Sequence, residues 1–150
     1  MSNNAATKED DTYFFRDIYS KKLNTIQDII NSAEEIAKNK LNKISTSQFR
    51  NYLDQFIEAK GNTPINPEEL KNETSASLHA NEKIQFQILR PKFAYTVTRA
   101  SKSGDKSALK SFNQEIVDKW IKEGLSTKKD LERLHLFLES LVAYHKVYSK

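Results

Sequence analysis

Apolar residues recur at Phe15, Tyr19, Leu23, Ile26, Ile30, Ala33, Ala37 and Leu41, always three or four positions apart. That spacing marks one face of an amphipathic helix. It predicts a long first helix, about 45 Å at 1.5 Å per residue. Ser45-Thr46-Ser47-Gln48 has the form of a capping box and should open a second helix, with Phe49, Leu53 and Phe56 on one face. Turn and loop chemistry fills residues 60–77 and predicts a mobile loop, with room for a short helical turn at Glu68–Lys71. A third helix is expected from Leu78 to Ser101, with Pro91 kinking or breaking it near Leu89–Arg90. Gly104 suits a helix stop and Asp105 the next N-cap, followed by a fourth helix over 106–122 that ends at Gly124. Thr127-Lys128-Lys129-Asp130 is a second capping box. The helix behind it carries Leu131, Leu134, Leu138, Leu141 and His145 on one face. Leu136, Phe137, Ala143, Tyr144 and Val147 make it apolar nearly all round, so it should be the central, buried helix. Residues 1–11 are small, polar and acidic and read as a disordered tail. No segment alternates as a strand does. The expectation is all-α: a compact bundle of about five helices in one domain, residues 12–150.

Composition narrows the chemistry. At 150 residues the chain has the size of one domain. It has no cysteine, which removes disulfides, cysteine zinc sites and a cysteine nucleophile. Three glycines leave no phosphate-cradling loop. No apolar run approaches the roughly 20 residues that span a bilayer, and the N-terminus lacks a signal-peptide pattern. A cytoplasmic protein is expected. The histidines are His79, His135 and His145. Glu132-Arg133-Leu134-His135 matches the Glu-x-x-His pattern of di-iron bundles, but such sites use it twice and it occurs here once. His145 falls on the apolar face of the last helix and reads as a hydrogen-bonded core histidine. No catalytic residue, metal or cofactor is expected.

Charge adds a positive signal. Residues 1–75 hold 10 Lys/Arg and 12 Asp/Glu, whereas residues 76–150 hold 14 and 8. The densest stretch, Lys83 to Lys110, has seven basic residues and one acid, Asp105. Wound as a helix, Phe86, Leu89, Phe93, Val97 and Ala100 make its core face. Lys92, Tyr95, Arg99 and Lys102 fall on the outer side at spacings of 3, 4 and 3, as one exposed ladder. Cations neutralise phosphates and an aromatic ring can stack on a base or ribose, so the ladder is a nucleic-acid signal.

Three segments carry a resemblance. Leu89-Arg90-Pro91-Lys92-Phe93-Ala94-Tyr95 followed by Arg99, the ending Phe137-Leu138-Glu139-Ser140-Leu141-Val142-Ala143-Tyr144-His145-Lys146, and Ile44 to Leu53 are similar to the small subunit of the type III-A CRISPR effector, the Csm complex. The resemblance runs in order from about residue 40 to the C-terminus. The 60–77 loop has no counterpart in it, and Thr96-Val97-Thr98 stands where smaller residues are expected.

The resemblance implies a non-catalytic RNA-binding subunit acting in antiviral defence. Several copies would stack along the guide RNA–target RNA duplex, beside the backbone subunits and the large polymerase-like subunit. A basic strip would hold the RNA backbone without reading bases. Arg50, Lys92 and Arg99 sit in family-like motifs and are the principal RNA contacts it implies, followed by Lys102 and Lys119. Tyr95, Tyr144, His145 and Lys146 are supports or contacts, with packing favoured for Tyr144 and His145. Two other classes are compatible with the residues alone: a helical protein–protein adaptor without nucleic-acid contact, and a small helix-turn-helix DNA binder. The latter ranks last because Ser107–Lys122 has no base-reading run of Arg, Asn and Gln at its start.

Overall fold

A computed structural model describes residues 2–99 and 106–149, with side chains from Asp11 onward in the first segment and from Ser107 in the second. Lys102, Gly104 and Asp105 lie outside the described residues. So do the helix stop and N-cap expected there.

Among the described residues the chain is all-helical. Helix α1 (Ser2–Lys21) is followed by α2 (Ile26–Asn39), so the single long first helix expected from periodicity is two helices. The break has a local cause. Thr25 takes an extended conformation and its Oγ1 accepts from the Asp28 N–H at 3.0 Å, which caps α2. The carbonyls released by the break find side-chain donors: Ser32 Oγ to Lys22 at 2.8 Å, and the Arg133 guanidinium to Leu23. α1 begins at Ser2, inside the stretch that composition assigns to a tail.

Helix α3 (Thr46–Lys60) starts where the sequence places it, but the capping box at its start does not form. Ser45 Oγ lies 2.8 Å from Ser47 Oγ, and the Gln48 N–H reaches the Ser45 carbonyl instead. α3 ends at Gly61, whose φ of +95° is the left-handed conformation that favours glycine. The short α4 (Pro67–Lys71) is capped by Asn66, whose Oδ1 accepts from the Glu68 and Glu69 N–H groups. It buries Leu70 beside the last helix.

Helix α5 consists of two segments, Ala80–Gln87 and Leu89–Arg99. Pro91 has no N–H to return to Gln87, and the helix breaks there, as the sequence predicts. Helix α6 runs through Lys106–Phe112, a π turn at Asn113–Val117 and Asp118–Glu123. Helix α7 (Lys128–Tyr148) opens on the second capping box, which does form. Thr127 Oγ1 accepts from the Asp130 N–H at 3.2 Å, and Asp130 Oδ2 accepts from the Thr127 N–H at 3.0 Å. Among the described residues the count is therefore seven helices, not five, because the first helix divides and the loop contributes α4.

α7 is the centre. It buries Leu131, Leu134, Phe137, Leu138, Leu141 and Val142 and packs on α2, α3 and α4. Phe112 of α6 knits the layers, with its ring 5.7 Å from Phe15, 6.2 Å from Phe137 and 6.2 Å from Tyr52. The π turn brings Asn113 inward, where Oδ1 accepts from the buried Tyr52 hydroxyl at 3.0 Å. Burial raises the Tyr52 pKa well above the usual phenol range, so the hydroxyl stays a donor.

Candidate nucleic-acid interface

Two helices build one cleft. α3 buries Phe49, Tyr52, Leu53 and Phe56, which turns Ser47, Arg50, Asn51 and Asp54 outward. The second segment of α5 buries Leu89, Phe93 and Val97, which turns Lys92, Tyr95 and Arg99 outward. The two helices are pinned at 4.6 Å between the Tyr52 and Phe93 rings and by Asn51 Nδ2 donating to Thr96 Oγ1 at 3.0 Å. Thr96 donates in turn to the Lys92 carbonyl. Between the outward faces lies an open cleft of about 620 Å³, with Arg50, Asp54, Gln55, Lys92, Tyr95 and Arg99 among its lining residues.

Its electrostatics follow from what the cations lack. Arg50, Lys92 and Arg99 are exposed, and none forms an ion pair among the described residues. Asp54 is the one acid among the described lining residues. The Arg99 guanidinium lies over the Tyr95 ring, 5.6 Å from its centroid, which holds it at the rim. Other cations are committed to the fold. Arg90 makes a two-pronged bond to Asp118 at 2.8 and 3.2 Å, which joins α5 to α6 and raises the Arg90 pKa.

The remaining expected site residues disperse. Lys119 is half-buried over the Tyr19 ring, in a separate shallow cleft shared with Glu115, Asp118 and Glu123. Lys146 is exposed on α7 and Tyr144 packs against the core. His145 is fully buried. The Leu41 carbonyl accepts from Nε2–H at 2.8 Å, so Nδ1 accepts from the Thr46 hydroxyl at 3.0 Å. Burial lowers its pKa, and the neutral ring braces the α2–α3 turn against the end of α7.

The Glu-x-x-His pair is also structural. The Lys60 ammonium donates to Glu132 Oε1 at 2.8 Å, His135 Nδ1 at 2.8 Å and the Pro64 carbonyl at 3.0 Å. Glu132 Oε1 also accepts from the Asn66 N–H. Burial and the neighbouring ammonium push the His135 pKa down to about 4. A cation already occupies the place where a metal would sit. No group of three or more acidic, His or Cys side chains among the described residues can hold a metal ion.

Ser47, Gln48, Asn51, Asp54, Gln55 and Thr96 also line the cleft and were not singled out from the sequence. A signal existed for α3: its residues among these are polar and fall outside its Phe49–Leu53–Phe56 face. Nothing local showed that this face meets the α5 ladder.

Three cations without ion-pair partners among the described residues, Arg50, Lys92 and Arg99, line an open cleft beside an aromatic ring, a chemistry suited to phosphate groups. The family model described as Csm2 Type III-A matches residues 23–150. The chain belongs to that family and is a non-catalytic RNA-binding subunit of the type III-A CRISPR Csm effector complex. No curated protein and no solved structure matches it. No helix among the described residues is long and apolar enough to cross a membrane.

Proposed function

We propose that the α3–α5 cleft is the surface with which this subunit holds RNA backbone in the assembled complex. Arg50, Lys92 and Arg99 are the phosphate contacts. Several copies stack along the guide RNA–target RNA duplex, flanked by the backbone subunits and the large polymerase-like subunit. Lys102 and Lys119 are secondary contacts, and Lys146 lies apart from the cleft. One observation carries this reading: three cations from two helices line one cleft without carboxylate partners, while Arg16, Lys40, Lys60, Arg90 and Arg133 are each ion-paired within the fold. Cations left unpaired are available to displace counterions from phosphate.

The test is the salt dependence of target-RNA retention by complexes assembled with Lys92→Ala or Arg99→Ala. Each neutralised phosphate contributes about 0.9 to the slope of log affinity against log salt on a duplex, so each variant should flatten it by about 1 per copy engaged. The loss should be equal for unrelated target sequences. A changed sequence preference, or retention and slope equal to wild type, refutes the clamp.

A further inference from the structure

The cations account for phosphate binding but not for the ring between them. Tyr95 is 63% exposed, among the most exposed large hydrophobic side chains described. It lines the α3–α5 cleft, with Arg99 over its ring at 5.6 Å. The guanidinium can cover only one face of a planar ring, and at 63% exposure much of the side chain is left open to a ligand. Gln55, across the cleft on α3, presents an amide with both donor and acceptor groups. The cleft, at about 620 Å³, lies within the roughly 300–1,000 Å³ typical of pockets for small organic ligands and is wider than a phosphate requires.

A continuous A-form duplex presents phosphates and 2′-hydroxyls but no free base face, because each base is stacked between its neighbours. Only an unpaired nucleotide can place a base on an exposed ring, and such stacking tolerates any base because each has a π face. An amide donor and acceptor in the lining of the same cleft suits a base edge.

Resting on the backbone-binding reading above, we infer that the α3–α5 cleft takes one unpaired nucleotide of the bound RNA, its base stacked on Tyr95 and its phosphate held by Lys92 and Arg99. The subunit thereby binds most closely where the RNA is not continuously paired. Tyr95 acts through its ring face and not through its hydroxyl.

The assembled effector complex, loaded with guide RNA, tests this with target RNAs that carry 5-iodouridine at one position. The label is scanned along the target, once fully paired and once in a single-nucleotide bulge. After irradiation, peptide mass spectrometry locates the adducts. Bulged positions should give an adduct on Tyr95 that paired positions do not. Tyr95→Phe should retain an adduct at residue 95 and Tyr95→Leu should lose it. An absence of adduct at residue 95 from every bulged position, or an equal yield from paired ones, overturns the inference. The backbone reading is judged separately by the salt response of Lys92→Ala and Arg99→Ala. If those variants release RNA at lower salt while residue 95 never crosslinks, the cleft is a backbone clamp and nothing more. If neither the salt response nor the crosslink appears, both readings fail.

Discussion

Replacing Lys60 by Met keeps the length of the side chain and removes its charge. Lys60 and Glu132 are 4% and 9% exposed at the side chain, so water cannot take over when the ammonium goes. Glu132 would keep the Asn66 N–H as its hydrogen-bond donor, while His135 Nδ1 and the Pro64 carbonyl would lose theirs. Removing one member of a buried pair typically costs about 3–5 kcal/mol. For 150 residues at about 2.1 cal/mol/K each, the unfolding entropy is near 0.3 kcal/mol/K, which converts that loss into a fall in Tm of about 10–16 °C. Thermal and urea unfolding at pH 7.5 would measure it. Lys60→Met/Glu132→Leu, which removes both charges, should be more stable than Lys60→Met alone. The same variant has a pH signature. Wild-type His135 titrates at about 4 when folded and near 6.5 when unfolded. The unfolded chain therefore binds the extra proton between those values, and stability falls as pH drops through the window, by up to about 3 kcal/mol. Without Lys60, the carboxylate of Glu132 draws the His135 pKa upward, so the acid-induced loss over the same window should shrink. A Lys60→Met protein within about 1 kcal/mol of wild type, or a double variant less stable than the single one, would show that the three groups do not form a compensated buried network.

Other consequences are simpler to measure. Thr127→Ala removes a cap that is made and should cost about 1 kcal/mol, whereas Ser45→Ala removes a side chain that caps no backbone N–H and should cost clearly less in the same urea titration. Phe112→Ala opens a cavity among Phe15, Phe49, Tyr52 and Phe137 and should cost about 3–5 kcal/mol. A loss below about 1 kcal/mol would mean that α6 is not seated in the core as described.

Helix type and phase were legible along the chain because they follow from local spacing. The apolar face of α7, its Thr127–Asp130 cap and the break at Pro91 all depend on residues within one or two turns. The ladder of Lys92, Tyr95, Arg99 and Lys102 was readable for the same reason, and the structure places its three described members on one cleft. The boundary between α1 and α2 was hidden because Leu23 and Ile26 continue the three-or-four spacing across it and mask the Thr25 cap, while the donors that satisfy the released carbonyls, Ser32 and Arg133, come from later in the chain. Ser45-x-x-Gln48 had the capping pattern without the bond, since Ser47 holds the Ser45 hydroxyl.

Long-range placement obeys no period. Arg50 and Arg99 lie on different helices, and they line one cleft because Tyr52 and Phe93 pack at 4.6 Å behind them. Lys119, equally basic, is carried by α6 into a cleft with three carboxylates. Glu132 and His135 match half of a metal-site pattern, and the fold brings Lys60 onto them from 72 residues earlier. The residues along the chain fixed which faces are apolar and which are charged. Packing of the apolar faces then selected which charges meet a partner inside the protein and which stay free to meet one outside, because burial commits a charge to its nearest counterion.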